Sequence, residues 1–444
     1  MLAEVGAGPA DDAARGPRTR LLKRNLVLIP IVRALNMCII GQGVLNLFWE
    51  HTIGLDVQQM FYLQVLNSIA LSVMEVPSGY LSDTWGRRNT LCLAAACKTI
   101  SFGVYGVASS WLHCCVAELF LAGGYACWSG TANSILYETQ AELGQRDQAL
   151  NRESYAIFVS QGTEALAAIA GGLVASYVSL QAAVLVTVLP YALCFVLCVL
   201  LMEPQEGPKQ AQEDDTLGFM GRLRATFARR EVTQCMYPSL WLGASTYLAV
   251  WVHQLLYERN GLPLPLFGVA WGALNMAVAV ASLLSPFFHR QFGLYRTQFG
   301  LGLWGMGCWM VMGWWWSPWA VIAGCALNLQ RGINGPMFTT HLNHLLTTEQ
   351  RATIQSCYSL LFRLLFCLLA VGVGWIAKSA SLGTACITAG AVTGSAVSLT
   401  ALYLLRCSST SPSESTDGGL LTDEQPAPEA ASEEEMGAVP TPSP

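Results

Sequence analysis

Charged residues are scarce in this chain: Asp, Glu, Lys and Arg make up 12% of its 444 residues, against roughly 25% in an ordinary soluble domain. Too little polar surface is available for a fold solvated by water on all sides. Hydrophobic residues reach 53% and the mean hydropathy is +0.42, so the composition fits lipid as the main solvent. Other absences narrow the function. There is no GxxxxGK[ST] loop, which argues against ATP hydrolysis by the chain itself. No CxxC occurs among the 15 cysteines. Most, such as Cys38, Cys92, Cys97, Cys194, Cys198, Cys325 and Cys367, sit in apolar runs where a thiol packs as a small hydrophobe. No basic block interleaved with aromatics points to nucleic acid. No nucleophile, base or metal set gathers near one interface, so the chain does not read as an enzyme, and no cofactor or metal is expected. His341 and His344 lie one turn apart without a third ligand.

What is present is a succession of apolar runs. Stretches long enough to span a bilayer fall at 25–49, 58–82, 90–109, 112–136, 154–178 and 181–202. Six more fall at 237–257, 264–288, 297–315, 318–342, 353–377 and 382–405. The expectation is an all-α integral membrane protein of twelve transmembrane helices in two six-helix, pseudo-symmetric halves. Residues 1–24 form a polar N-terminal segment, ending in Arg18, Arg20, Lys23 and Arg24, with no cleavable signal peptide. The halves are 25–202 and 237–405, joined by a hydrophilic linker at 203–236, and 406–444 is an acidic tail expected to be disordered. Setting aside the eight acids after Cys407 turns the formal −5 of the whole chain into +3 for the rest.

Positive charge gives the orientation. Arg87, Arg88, Arg146, Arg152, Lys209, Arg222, Arg224, Arg229, Arg230, Arg290, Arg296, Arg351 and Arg406 share a side with the basic N-terminus, and the opposite loops hold only Arg259 and Lys378. By the positive-inside rule both termini and the linker are cytoplasmic and Leu55 faces outward, in a cell membrane. A weak internal echo supports duplication: Gly86, between the second and third spans, aligns with Gly293, between the eighth and ninth.

Between spans two and three runs Glu75-Val-Pro-Ser-Gly79-Tyr-Leu-Ser-Asp83-Thr-Trp-Gly86-Arg87-Arg88. Gly86 permits a tight turn, Gly79 would let a neighbouring helix approach closely, and Asp83 can meet a helix N-terminus or a base. This loop resembles the signature of the major facilitator transporters, matching its Gly, Asp, second Gly and basic pair. The resemblance implies a gating loop of Gly79, Asp83, Gly86, Arg87 and Arg88 that latches the cytoplasmic side. Glu75-x-Pro77-Ser78-Gly79, Ser129-Gly130-Thr131, Leu136-Tyr137-Glu138 and Arg351-Ala352-Thr353 are similar to a bacterial drug- or metabolite-exporter-like branch, over residues 25–405. Two departures weaken the export reading: Glu118 stands near where exporters carry an early Arg in span four, and span five has glycines but no Gly-Pro.

Ionisable groups at membrane depth are costly and therefore candidates for function. Arg33, Glu75, Glu118, Glu164, Arg331 and Arg363 are the coupling or substrate candidates, and Lys98 snorkels or pairs with an acid. Gly332, Gly335 and Pro336 are expected to interrupt the helix beside Arg331. Glu164 either pairs with Arg33, Arg331 or Arg363 or is protonated for part of a cycle. Trp241, Trp251 and Trp271 could wall a pocket, whereas Trp314, Trp315, Trp316 and Trp319 read as an interfacial belt. The reading is a secondary active transporter working by alternating access, a monomer that exports a small organic solute in exchange for protons. The alternatives are proton-coupled uptake of an anionic solute, with Arg33, Arg331 and Arg363 binding it, and a non-transporting sensor that recruits a partner through its tail.

Overall fold

The computed structural model describes residues 16–145, 149–205, 224, 227–314, 320–346 and 348–409. The expectations for the first 15 residues, most of the linker, the tail, and Trp315, Trp316 and Trp319 lie outside that set. Among the described residues every regular element is helical.

Helix α1 (Pro17–Asn36) starts on Pro17, whose missing N–H costs nothing in a first turn. The chain then runs through a 3₁₀ turn (Ile40–Val44), one α turn (Leu45–Leu47) and a π segment (Phe48–Ile53), which stops at Gly54 with φ 80°. Helix α2 (Val57–Trp85) opens on a capping box: Asp56 accepts the Gln59 N–H at 2.8 Å, and Gln59 Oε1 accepts the Asp56 N–H at 3.0 Å. Next come α3 (Arg87–Gly106), α4 (Trp111–Trp128), α5 (Thr131–Glu142), α6 (Ala149–Tyr177), α7 (Leu180–Val186) and α8 (Val188–Leu200). After the linker follow α9 (Arg230–Arg259), α10 (Leu266–Trp314), α11 (Ala320–Leu345), α12 (Thr348–Ser379) and α13 (Leu382–Ser409).

Seven stretches among the described residues are long and apolar enough to cross a membrane, including Pro17–Ile53, Val57–Trp85 and Leu382–Cys407. The longest, Leu266–Trp314, has 49 residues and would measure about 74 Å if straight. Gly293, with φ 70° and ψ 179°, breaks it in two. Its counterpart Gly86 has φ 100° and ψ 153°, so the two echoing glycines make similar turns.

Helices α1–α8 pack largely among themselves, as do α9–α13, and the groups meet mainly where α2 lies on α12 and α6 on α10. The buried apolar residues show how they meet. One large cluster takes Phe48, Trp49 and Phe61 from the first group with Trp251, Leu255, Phe366 and Val373 from the second. At the other end each group keeps its own core, around Leu91, Ile135 and Cys198 in one and Met236, Leu294 and Leu342 in the other. The groups are therefore fused at the end that carries Gly54 and Gly261 and separate at the end that carries Gly86 and Gly293.

Candidate functional site in the cavity between the helix groups

A cavity of about 570 Å³ lies between the two groups. It gathers Glu75, Glu118, Glu164, Arg331 and Arg363 from five helices, with aromatic walls from Tyr125, Trp128, Tyr247, Trp251 and Trp271. Arg33, Lys98 and the five residues of the gating motif are not on its lining. Arg33 lies near the end of α1, and Trp241 lies away from the cavity beside Tyr237.

Glu75 and Arg363 form the principal charged contact within it. The guanidinium donates to the carboxylate at 2.7 and 2.8 Å, both oxygens engaged, from α12 to α2. Such forked pairs add geometric definition to charge. Of the two arrangements open to Glu164, no ion pair with Arg33, Arg331 or Arg363 forms among the described residues. Arg363 is committed to Glu75, and Glu164 instead accepts the Trp271 indole N–H at 3.3 Å across the groups. Arg331 makes no ion pair among the described residues and is exposed to the cavity. It also borders a 330 Å³ pocket inside the second group, with Ser239, Asn334 and Tyr358.

The expected break beside Arg331 is absent: α11 runs unbroken through Gly332, Gly335 and Pro336. A Cβ on Gly332 would fall 2.4 Å from the Val278 carbonyl and 2.6 Å from Ala281 Cβ. This glycine serves close packing of α11 on α10, not unwinding.

Glu118 is 1% exposed and held by neutral donors alone. The Tyr105 hydroxyl donates at 2.5 Å, the Gln64 amide at 3.3 Å and the Asn67 amide at 2.7 Å. Lys98 neither snorkels nor meets an acid. It is fully buried, donates to Asn36 Oδ1 at 2.7 Å, and sits 4.1, 5.5 and 5.6 Å from the rings of Tyr125, Trp128 and Tyr191. The Tyr105, Gln64 and Asn67 contacts carry no sequence signal, because amides and tyrosines at such spacings are common in any apolar helix.

One end of the cavity is sealed by contacts between the groups. Asn46 donates to the Trp251 carbonyl at 2.6 Å, Gln254 donates to the Gln42 carbonyl at 2.9 Å, and Trp49 stacks on Trp251 with centroids 6.0 Å apart. Outside them lie Lys378–Asp56 at 2.8 Å and the His51–Glu258 contact. At the opposite end lies Gly79, expected to admit a neighbouring helix. A Cβ placed on it would meet no described atom within 4 Å. The groups are apart there.

The motif loop is tied up within the first group. Arg87 contacts Asp83 at 2.5 Å, Ser82 at 2.8 Å and Glu138 at 3.2 Å. The N-terminus of α3 is capped by Glu203, whose oxygens accept the Arg87 and Arg88 backbone N–H groups at 2.6 and 2.7 Å. Arg88 reaches the Val199 carbonyl at 2.7 Å. Sequence reasoning does not single out Glu203. The only signal for it is a lone acid ending an apolar run just before Pro204.

The chain resembles solved transporters in fold. The nucleoside transporter NupG (D323A mutant) superposes with a TM-score of 0.72 at 13% identity, covering 86% of this chain and 99% of its own. The POT family transporter PepTSo gives 0.70 at 11% identity over 87% and 99%. A bacterial homologue of the human lysosomal transporter Spinster, solved inward-facing and unoccupied, gives 0.63 at 15% over 89% and 96%. A comparison with curated protein sequences finds no match. The sequence pattern of the Major Facilitator Superfamily matches residues 31–370, most of the chain, and with its all-helical body this multi-pass membrane protein belongs to that superfamily of transporters.

Proposed function

We propose that the chain is a secondary active transporter with twelve membrane-spanning helices in two pseudo-symmetric six-helix halves, exporting a small organic solute in exchange for protons by alternating access. The observation that carries this reading is the cavity of about 570 Å³, fused over at one end and flanked by separate cores at the other. A site reachable from one side only is what alternating access requires of each state. The positive-inside charge pattern supports a cytoplasmic open end, and the resemblance of Ser129-Gly130-Thr131, Leu136-Tyr137-Glu138 and Arg351-Ala352-Thr353 to the exporter-like branch supports export. The halves are 25–202 and 237–405, and the twelve spans count Leu266–Trp314 as two crossings, α7 with α8 as one, and α4 with α5 as one. The molecule acts as a monomer in the cell membrane.

Reconstituted proteoliposomes with an imposed proton gradient test this. Organic solute accumulating against its gradient only when protons flow the opposite way supports the reading; no flux of any solute overturns it. A second reading, proton-coupled uptake of an anion, is favoured by Arg331, which faces the cavity without an ion pair among the described residues. Solute and protons moving in the same direction would select it.

A further inference from the structure

The charges around the cavity do not balance. Glu75 and Arg363 neutralise each other at 2.7–2.8 Å, and Glu164 and Arg331 carry opposite signs on the same cavity. Glu118 is the remaining anion. Three neutral donors surround its carboxyl. The Asn67 amide nitrogen also donates to the Glu118 backbone carbonyl at 3.2 Å, which fixes it as a donor to Oε2, while Tyr105 and Gln64 both donate to Oε1. Both oxygens are thus held as acceptors, yet no Lys, Arg or His among the described residues lies within ion-pair distance.

Lys98 is the complementary case, a fully buried amine with one amide acceptor and three aromatic faces. The two belong to one seam. Helices α3 and α4 run antiparallel, so that Lys98 faces Tyr125 and, seven residues along each helix, Tyr105 faces Glu118. Seven residues are two turns, about 10.5 Å of rise. Phe102 fills the interval, with its ring 6.0 Å from Tyr105 and 5.5 Å from Tyr191. The titratable or charged groups facing Lys98 are Tyr125 on α4 and Tyr191 and Cys194 on α8. Those facing Glu118 are Tyr105 on α3, Cys114, Cys115 and Tyr125 on α4, and Tyr247 on α9. None of these supplies a cation.

We propose that Lys98 and Glu118 form the coupling device, and that the exported solute is a lipophilic, monovalent organic cation. The proposal rests on the transporter reading above. Glu118 is compensated by one cation at a time: the Lys98 ammonium within the seam, or the solute in the cavity. The competition is direct, because Tyr125 and Trp128 hold Lys98 by their ring faces and also line the cavity. A cation seated on those rings repels the charge behind them, and the aromatic walls favour it through the same cation–π attraction. When the solute binds, Lys98 releases one proton to solvent and becomes a neutral amine. One positive charge enters, one leaves, and the protein's total is unchanged. Lys98 acts here as a positioning and coupling residue that does not touch the solute.

The test uses the purified full chain in detergent with tetraphenylphosphonium as the ligand. In a lightly buffered solution with a pH-indicating dye, each bound tetraphenylphosphonium should release close to one proton, and affinity should rise about tenfold per pH unit while Lys98 titrates. Lys98→Met should bind as tightly as the wild type does at high pH, with no proton release. Glu118→Gln should lose at least tenfold in affinity at every pH. Wild-type binding without proton release, undiminished release by Lys98→Met, or tight binding of an organic anion such as salicylate with none of tetraphenylphosphonium would each overturn the proposal. The wild-type measurement needs no variant to fold. Proteoliposome flux separates the two levels: proton-linked binding without flux removes the transporter reading alone, and flux of anions alone removes only the cationic solute.

Discussion

Arg363 on α12 grips both carboxylate oxygens of Glu75 on α2, at 2.7 and 2.8 Å, and so ties the two helix groups together across 288 positions of sequence. The pair lies between the sealed end and the open one, with Arg363 15% and Glu75 25% side-chain exposed. Removing one partner strands the other charge at membrane depth. Glu75→Gln or Arg363→Gln should each lower flux about tenfold or more and cost about 1–3 kcal/mol of stability, after allowance for partial exposure. The reciprocal exchange, Glu75→Arg with Arg363→Glu, should recover much of both. Flux in proteoliposomes and thermal unfolding in detergent check this; an exchange no better than the single changes would deny that the contact matters.

The motif turn is constrained twice over. Gly86 has φ 100°, and a Cβ there would sit 3.0 Å from a Glu203 oxygen. Gly86→Val should cost about 1–3 kcal/mol and displace the Glu203 cap. Glu203→Ala, which removes that cap, should cost about 1 kcal/mol. Asp83→Asn should slow flux while leaving solute affinity near wild type, since Asp83 contacts Arg87 and is not on the cavity lining. Equal losses in affinity and flux would contradict the gating role.

Glu164 tests where the proton is carried. It accepts the Trp271 indole N–H, which a glutamine carbonyl can still accept. Glu164→Gln should therefore keep gradient-driven transport with its pH dependence intact, and Trp271→Phe should weaken contact between the groups. A flat pH profile in Glu164→Gln would move the coupling role from the α3–α4 seam to Glu164.

The helical body and the intramembrane charges are legible in the sequence because apolar length and isolated charge are local properties. Even the pairing of Gly86 with Gly293 shows as a faint echo, and both glycines do adopt positive φ. Partners are not local. Whether Glu75, Glu164 or neither takes Arg363 depends on how α12 crosses α2, which no spacing within α12 encodes. Lys98 is the clearest case: its holders come from α1, α4 and α8, and three aromatic faces with one amide leave no charge pattern to read. Gly332 misled in the opposite direction, since glycine beside proline suggests a break whether the position is unwound or only tightly packed.

Closure at the sealed end depends on bare backbone. A Cβ on Gly268 of α10 would fall 2.1 Å from the Ala168 carbonyl of α6. Gly268→Ala should push the groups apart there and favour the state open on that side. Spin labels at Thr52 and Pro263 should report a longer or bimodal distance across the sealed end. Gly272→Ala, one turn on and with nothing within 4 Å of its Cβ, should leave the distances unchanged. An unaltered distribution in Gly268→Ala would mean the contact yields without opening the seal.

Outside the membrane, Arg18 holds Glu142 at 2.5 Å, and Glu142 also accepts the Gln205 N–H at 2.7 Å. The hydrogen bond from Arg18 keeps the Glu142 carboxyl below its ordinary range. A carboxyl depressed in the folded state stabilises fully above its unfolded value, about 4.3, and loses that contribution as pH falls through the lowered folded value. Melting of the wild type should therefore fall more steeply below about pH 4.5 than melting of Glu142→Gln. Parallel curves would show that the contact adds nothing.

The glycine contact at the sealed end has a further consequence for how easily the molecule changes state. Where Gly268 meets the Ala168 carbonyl, and where a Cβ on Gly43 would stand 3.6 Å from Gly268, the surfaces that part are peptide planes with no rotamers to freeze or release. Closing them forfeits little side-chain entropy, because glycine and alanine have almost none to give. The backbone contact therefore adds little resistance to opening; what holds this end shut is the apolar cluster with the Asn46 and Gln254 hydrogen bonds, while the exposed rim contacts, Lys378 with Asp56 and His51 with Glu258, are weak. A ligand opens such an end only by preferring the open state by at least the free energy of those remaining contacts.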